Sequence, residues 1–391
     1  MAEVQLPAKE WTVRADLAAL VAALDPAGEG LVRYVGGAVR DTLMGLPVKD
    51  IDMATPLEPD AVIARLTAAS IRSVPTGLAH GTVTALTEGG PVEITTLRRD
   101  VSTDGRHATV AFSTNWEEDA ARRDFTINAL YADPATLAVY DYFGGLEDLA
   151  ARRLRFIGAA EARIREDYLR ILRYFRFQVR FGSLPADAEA EAACAALAPG
   201  MKGLSRERIA SELMALLALP DPAQTVVRMA DLGVLREILP EANPAALAPL
   251  IAAETAQSIP PEALRRFAAL LPADPATAEL VGARLRLSLA QRKHLSLVAA
   301  RTAPEGDPRA LAYRSGRPAA IDRLLLTGAS CAPLKSWTIP QFPLKGGAIV
   351  GRGISAGPEV ARLLRAVEAR WIDEGFPDAV RVAALLDAEI G

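Results

Sequence analysis

The chain has 391 residues, half of them apolar, and a formal net charge of −4 at pH 7. This length is enough to bury a substantial core and predicts two to four structural units. No run approaches the roughly 20 apolar residues of a membrane span, and the first residues lack the pattern of a signal peptide, so we expect a cytoplasmic protein without membrane contact.

The first 145 residues combine short β-like runs with helical stretches. The β-like runs cover residues 31–35, 48–54, 82–86 and 92–97, and a helical stretch covers 60–69. This part of the chain is therefore predicted to be α/β or α+β.

A glycine pair and an aspartate pair stand close together in this region. Gly36 and Gly37 lie between a predicted strand and a helix that begins near residue 38, and Asp50 and Asp52 follow. Two glycines at this point let backbone N–H groups approach a triphosphate at the helix N-terminus. A glycine pair alone is more often an ordinary turn, and an aspartate pair alone is more often a solvated strand edge. Together, however, the two patterns belong to the same chemistry.

The aspartate pair has the spacing of a metal site. Residues i and i+2 of a strand share a face, so Asp50 and Asp52 point to one side while Ile51 and Met53 point into a core. Such a pair is costly unless cations neutralise it, and oxygen ligands suit two Mg²⁺ ions about 4 Å apart, which assist an in-line displacement. Glu93, on a neighbouring predicted strand, is a candidate third carboxylate; an exposed glutamate is the alternative.

A polar segment follows the predicted strands. Its length and its glycine, between residues 97 and 119, predict a mobile loop, with a plain solvent loop as the alternative. Further on, residues 151–182 contain nine arginines and three acidic residues, a net charge of +6 in a chain that is acidic overall. Such a local excess suits phosphate contacts, and a solvated helix face explains it equally well. Arg152 and Arg153 are the candidates for RNA contacts.

Residues 163–179 are predicted to form one helix with an apolar stripe. The stripe consists of Tyr168, Ile171, Leu172, Phe175 and Val179. Asp167 and Arg170 lie off the stripe, three residues apart, where an ordinary ion pair is the simplest interpretation. After residue 150 the β signals nearly vanish, and the remainder is predicted to be almost wholly helical, including a helix over 358–374.

Five motifs in order carry a family resemblance. They are GGAVRD with DID (36–41 and 50–52), RRDFTINA (122–129), DYFGGLEDL (141–149), EDYLRILR (166–173) and SRERI (205–209). This set, spanning residues 31–210, resembles the polymerase-β-like nucleotidyltransferases of the class II bacterial tRNA nucleotidyltransferase and poly(A) polymerase family.

The resemblance implies a fold and an activity. The fold is α+β, with a nucleotidyltransferase head (1–145, a mixed sheet with helices), a helical neck with the nucleotide-selecting helix (146–210), a helical body (211–310) and a helical, tRNA-binding tail (311–391). The activity is stepwise addition of C, C and A to the tRNA 3′ end from CTP and ATP, with two Mg²⁺ ions, release of pyrophosphate and no obligate protein partner. A poly(A) polymerase, a partial CC- or A-adding enzyme, or a non-catalytic RNA-binding protein are the alternatives.

The resemblance also implies residue roles. Arg122, Arg123 and Asp124 would hold the triphosphate and ribose, with Asp124 contacting the 2′ hydroxyl. Other motif positions assigned to the nucleotide are Gly36, Gly37, Arg40, Asn128 and Arg173. In the tail, Lys345 and Arg352 stand in a Gly-rich stretch and are candidates for tRNA phosphate contacts, although an acidic residue that the family often has near Ala348 is missing. A plain connection between two helices is the alternative there.

Asp167 and Arg170 offer a chemical basis for choosing C and A. An aspartate accepts and an arginine donates, which matches an exocyclic amino group beside a ring-nitrogen acceptor, as in cytosine and adenine. Uracil and guanine present the reverse arrangement and would leave a carboxylate facing a carbonyl. The family assigns the same role to these positions, and a loop at 97–119 that is not shortened favours addition of the whole CCA triplet.

Overall fold

Strands occupy the first part of the chain and helices the remainder, which makes the fold α+β. The structure is a computed structural model and describes residues 4–103, 108–302 and 306–391. The chain divides into two units: Met1–Leu213 with Arg228–Ile238, and Met214–Val227 with Leu239–Gly391. The finer division at residues 145, 210 and 310 stays a prediction.

The first unit is built on a mixed seven-stranded sheet with the strand order β3-β4-β5-β2-β1-β8-β9. Its strands are β1 (Arg33–Val35), β2 (Ile51–Thr55), β3 (Ser73–Gly77), β4 (Thr82–Thr87), β5 (Gly90–Thr96), β8 (Leu130–Ala132) and β9 (Val139–Asp141). Only β2 and β5 pair in parallel; the other neighbours are antiparallel. The four predicted β-like runs are confirmed as β1, β2, β4 and β5.

The two faces of this sheet differ in polarity. Met53, Tyr34 and Ile94 are in register on one face and are at most 2% exposed. The residues that alternate with them point to the opposite face, where Asp52 on β2 is in register with Glu93 on β5. The predicted inward direction of Met53 is confirmed, and the opposite face carries Asp52 and Glu93 next to an apolar cluster that includes Val35 and Ala54.

The predicted loop at 97–119 is wrong for its described residues. β6 (Arg98–Thr103) and β7 (Ala108–Phe112) form an antiparallel hairpin, and α4 (Trp116–Ala121) follows it. The polar residues at 104–107 lie outside the described residues. The hairpin begins directly at the end of β5, where Leu97 N donates to the carbonyl of Thr55 and Ser113 N donates to that of Leu97, both at 2.8 Å. Pairing of the two strands, which starts from the buried Leu97, thus outweighs the polar composition that favoured a loop.

Helices cover the sheet and continue the chain beyond it, and two of them, Arg206–Leu217 and Ala223–Asp231, contain residues of both units. Up to residue 238 they are α1 (Ala15–Leu24), α2 (Gly37–Leu43), α3 (Pro59–Ala68), α4, α5 (Gly145–Ala150), α6 (Ala160–Glu166), α7 (Leu169–Phe181), α8 (Ala188–Leu197), α9 (Arg206–Leu217), α10 (Ala223–Asp231) and α11 (Val234–Ile238). Side-chain caps explain several starts, since Asn115 and Asp187 accept from backbone N–H groups of the first turns of α4 and α8.

The single helix predicted over 163–179 is also wrong. Asp167 has extended backbone angles (φ −155°, ψ 105°) and separates α6 from α7. Its Oδ1 accepts from Leu169 N at 3.0 Å, so the aspartate satisfies a backbone donor at the start of α7. The helical spacing from which Asp167 and Arg170 were expected to share a face therefore does not apply.

The second unit is helical in its described residues. Its helices after residue 238 are α12 (Leu247–Gln257), α13 (Ala263–Leu270), α14 (Pro275–Arg284), α15 (Leu289–Ala299), α16 (Pro308–Ser315), α17 (Arg317–Leu326), α18 (Gly346–Val350), α19 (Pro358–Asp373) and α20 (Ala379–Ile390). The helix predicted over 358–374 is confirmed as α19. Across the described part of the chain, no helix combines the length and apolar composition needed to span a membrane.

Short 3₁₀ helices connect several of these elements. They are Glu10–Val13, Leu78–His80, Thr126–Asn128, Ala198–Gly203, Pro244–Ala246 and Ala332–Leu334.

The second unit has an apolar core beside a buried charge network. Trp371, on α19, is 1% exposed and packs with Leu363, Val367 and Leu385. Elsewhere in the unit, the carboxylate of Asp322 accepts from Arg265 Nε and contacts His294 Nε2, each at 2.7 Å. Arg265 and Arg266 both donate to Glu254, which is 2% exposed. Because the buried carboxylates have arginine partners, this network is compatible with burial.

Candidate active site

One cavity of about 630 Å³ in the first unit collects most of the residues singled out in the sequence. Its lining, referred to below as the polar cavity, consists of Gly36, Gly37, Arg40, Asp50, Asp52, Arg122, Arg123, Asp124, Asn128, Asp167, Arg170, Arg173 and Phe177. All ten residues assigned to the nucleotide are among them, together with both aspartates of the DID motif. Phe177 was not predicted, because an apolar residue on an amphipathic helix has no sequence signal that separates a cavity wall from a core.

The polar face of the sheet supplies the carboxylates. Asp50 is exposed and lies one residue before β2, and Asp52 is partly buried within the strand. Burial raises the pKa of Asp52 to about 6; the negative charges of Glu93 and Asp50 add to the increase, and the positive charge of Arg123 only partly opposes it. Glu93 itself is exposed and is not part of the cavity lining. The cluster is thus short of positive charge, and a cation bound there would relieve it.

The glycine turn lies between β1 and α2 and also lines the polar cavity. Gly36 has φ +66°, a left-handed conformation that favours glycine, and a Cβ there would lie 3.5 Å from Arg123 Nη1. Its N–H donates to the carbonyl of Leu130 at 3.0 Å and so belongs to the sheet. Of the two glycines, Gly37 is therefore the one left to offer its N–H group to a ligand.

Arg123 is held by two buried partners. Its Nη2 donates to Asp119 Oδ2 at 3.0 Å, and its Nε donates to the hydroxyl of Tyr131 at 3.2 Å. That hydroxyl donates in turn to Asp119 Oδ2 at 2.7 Å. Burial opposes ionisation of Asp119, but the charge of Arg123 outweighs it together with these hydrogen bonds, and the pKa of Asp119 is lowered. Arg123 therefore keeps a fixed positive charge at the cavity wall.

Asp124 and its neighbours form a second fixed chain of polar contacts. Asp124 Oδ1 accepts from Phe125 N and Asn128 Nδ2, and Oδ2 accepts from Arg173 Nε at 2.9 Å and Nη2 at 2.5 Å. Arg40 Nη1 donates to Asn128 Oδ1 and so extends the chain. Four hydrogen bonds use the full acceptor capacity of a carboxylate, so contact between Asp124 and a ribose hydroxyl requires one of them to be exchanged.

Asp167 and Arg170 both line the polar cavity, but each pairs with a different residue. Arg208 Nη2 donates to Asp167 Oδ2 at 2.6 Å, and Arg170 Nη1 donates to Glu166 Oε2 at 2.5 Å. Arg170 also donates to the carbonyl of Arg163 at 2.9 Å. The contact with Arg208 was missed in the sequence, where SRERI carried no assigned role; its partner is 41 residues away and only the fold brings them together.

The residues predicted to contact RNA lie outside the polar cavity. Both arginines are exposed, but Arg153 Nε donates to the buried carboxylate of Asp148 at 2.6 Å, which gives Arg153 a structural role. In the second unit, Lys345 is exposed just before α18, and Arg352 Nε pairs with Asp387 Oδ1 at 2.8 Å. Their contacts with RNA stay predictions.

Two family models and a protein relative match this chain. Residues 32–155 match the family model of the poly A polymerase head domain, and residues 186–246 match that of the probable RNA and SrmB-binding site of polymerase A. The mitochondrial CCA tRNA nucleotidyltransferase 1 of Homo sapiens is 37% identical over 367 residues, 88% of this chain and 83% of that protein.

Solved structures of CCA-adding enzymes resemble this chain over nearly its whole length. The CCA-adding enzyme of Bacillus stearothermophilus in complex with CTP superposes with a TM-score of 0.74 and 25% identity, over 96% of this chain and 97% of that one. The Thermotoga maritima CCA-adding enzyme, solved with tRNA, superposes with a TM-score of 0.71 over 96% of this chain and 95% of that one, at 20% identity, and supports the fold.

Proposed function

The chain belongs to the CCA tRNA nucleotidyltransferase family, and we propose that it adds C, C and A stepwise to the 3′ end of tRNA, with CTP and ATP as substrates and release of pyrophosphate. It is an enzyme, a nucleotidyltransferase, whose partners are tRNA and nucleoside triphosphates. The observation that carries this function is that one cavity is lined by the carboxylates Asp50 and Asp52 and by the candidate base-selecting residues Asp167 and Arg170.

We propose Mg²⁺ as the metal that assists the transfer. Asp50 and Asp52 would hold two ions, with Glu93 close by, and the raised pKa of Asp52 supports a site that needs positive charge. A pair of carboxylates suits Mg²⁺, since this ion is bound by one or two carboxylates together with substrate phosphates. When bound, the ions would lower the pKa of the attacking 3′ hydroxyl and stabilise the leaving pyrophosphate.

The arginines of the cavity are suited to the triphosphate. Arg123 is pre-oriented by Asp119 and Tyr131, and Arg173 and Arg40 are fixed through Asp124 and Asn128. Guanidinium groups held in place can meet phosphate oxygens with little loss of side-chain freedom. We therefore assign these residues, with Arg122 and Gly37, to the triphosphate and ribose.

The base would be selected by Asp167 and Arg170. The carboxylate accepts from the exocyclic amino group of cytosine or adenine, and the guanidinium donates to the neighbouring ring nitrogen. Uracil and guanine present a carbonyl to the carboxylate, a mismatch that costs about 1–3 kcal/mol or more in a desolvated site. A protein surface with this pair selects C and A without a nucleic-acid template.

The test is an addition assay with a defined acceptor. Purified protein is incubated with tRNA ending at the discriminator base, Mg²⁺, CTP and ATP, and the products are sequenced. We expect CCA on the tRNA and no extension of an unrelated RNA. Tails of adenosine on any RNA would identify a poly(A) polymerase, and a product that ends at CC would identify a partial enzyme. A cytoplasmic location stays a prediction, since the human relative is a mitochondrial protein by name.

A further inference from the structure

Asp119 contacts the polar cavity only indirectly. It is 2% exposed and is not one of the lining residues. Its Oδ2, however, accepts a hydrogen bond from Arg123, which does line the cavity. The same oxygen accepts from the hydroxyl of Tyr131, a residue that is itself fully buried. A carboxylate buried at this depth is costly unless charged partners compensate it; Arg123 is its charged hydrogen-bond partner, and the positive charge of Arg122 adds a smaller favourable contribution.

The contacts fix the orientation of the guanidinium of Arg123. Nη2 donates to Asp119 and Nε donates to Tyr131, so one edge of the planar group is held by protein. Because the group is rigid, fixing two nitrogens also fixes the third. That third nitrogen, Nη1, lies on the side of the glycine turn, 3.5 Å from the position that a Cβ on Gly36 would take.

The second oxygen of Asp119 reaches the β6–β7 hairpin. Oδ1 accepts from the backbone N–H of Arg98, the first residue of β6, at 3.2 Å. One side chain therefore joins the root of the hairpin to the arginine at the cavity wall. Tyr131→Phe removes the hydroxyl that contacts Arg123 and Asp119 but not the hydrogen bond from Arg98 N to Asp119, so the two connections of Asp119 can be tested separately.

We propose that Asp119 is a positioning residue for nucleotide binding, which holds Arg123 in the orientation that meets the triphosphate and ties the hairpin root to it. The proposal rests on the proposed function, because it takes Arg123 as a triphosphate ligand. Its test is the Kd for CTP, measured by titration of the purified chain without tRNA, next to the addition assay. The two readouts separate failure of the positioning role from failure of CCA addition.

The variants are Asp119→Asn, Tyr131→Phe, Arg123→Ala and the double variant Asp119→Asn with Arg123→Ala. We expect Asp119→Asn to weaken CTP binding about tenfold, and Tyr131→Phe about threefold, from the loss of hydrogen bonds to a charged group. In the Arg123→Ala background, Asp119→Asn should change the Kd by less than about twofold, because the residue through which it acts is gone. Asp16→Asn is the matched control, since Asp16 also pairs with an arginine, Arg14, outside the cavity.

Two results would overturn the proposal. One is an unchanged Kd for CTP in folded Asp119→Asn, and the other is a full additive effect in the double variant. If Asp119→Asn does not fold, Tyr131→Phe decides, since it removes one hydroxyl and keeps the buried ring; an unchanged Kd there rejects the positioning of Arg123. Wild-type protein that binds CTP but adds nothing to tRNA would reject the proposed function instead.

Discussion

Asp167 and Arg208 are joined by a charged hydrogen bond in which Arg208 Nη2 donates to Asp167 Oδ2 at 2.6 Å. This oxygen is on the carboxylate assigned to the amino group of the incoming base. Half of the Arg208 side chain is exposed, and ion pairs of this kind contribute about 0–1 kcal/mol, so a base can displace the arginine at low cost. The pairing orients the carboxylate without blocking its use.

Substitution of Asp167 tests base selection directly. We expect Asp167→Ala to slow CMP and AMP addition and to raise misincorporation of UMP and GMP, because the carboxylate that opposes their carbonyl groups is gone. Single-turnover addition of each nucleotide to tRNA lacking CCA measures the ratio. Arg208→Ala is the control, since it removes the ion pair and keeps the acceptor, and it should retain discrimination. If folded Asp167→Ala selects C and A as well as wild type does, this pair does not read the base.

Substitution of the carboxylates tests the metal-dependent step. Asp50→Ala and Asp52→Ala should each abolish addition of both nucleotides, while the Kd for tRNA should change only a few fold, since the lost interaction is with the metal ions. Asp60→Ala, on the exposed side of α3, should have wild-type activity. Activity close to wild type in either of the first two variants with Mg²⁺ would remove the aspartate pair from the mechanism.

Much of the site could be predicted from local sequence, because its residues stand in short motifs with a chemical reason for each residue type. The opposite directions of Asp52 and Met53 followed from strand alternation, which depends only on the period of two, whereas the register of Asp52 with Glu93 came from the fold. The helix over 163–179 failed because propensity and an apolar stripe do not reveal a break made by one extended residue, Asp167.

Other features depend on contacts between distant segments. The hairpin of β6 and β7 replaces a predicted loop because its root is hydrogen bonded to Thr55, which lies more than 40 residues earlier. Arg208 gained its role through its contact with Asp167, 41 residues away, and Asp119 gained its connection to the hairpin through Arg98, 21 residues away. Local sequence patterns do not identify such partners, since only the folding of the chain brings these distant segments together.

Arg152 and Arg153 are expected to differ in their contribution to tRNA binding, because Arg153, although exposed like Arg152, is paired with the buried Asp148. If Arg152 touches a phosphate, Arg152→Ala should lower the slope of log Kd against log salt by about 0.7–0.9. Arg153→Ala should lower the melting temperature and leave the slope unchanged. Filter binding of tRNA at several salt concentrations measures both slopes, and equal slopes for wild type and Arg152→Ala would exclude the contact.

The contact between His294 and Asp322 predicts a pH-dependent stability of the second unit. The hydrogen bond to Asp322 raises the pKa of His294 above its ordinary value, against the opposing effect of burial, and Glu262 adds to the increase while Arg265 opposes it. A folded-state pKa above the unfolded value means that the stabilisation is complete below about pH 6.5 and is lost as the pH rises through the folded pKa. Thermal unfolding of wild type and His294→Gln across pH 5.5–8.5 measures this. We expect wild type to exceed the variant by about 1 kcal/mol at the acidic end and the difference to shrink at the alkaline end; a difference that is constant or grows with pH would show that His294 is neutral in the folded protein.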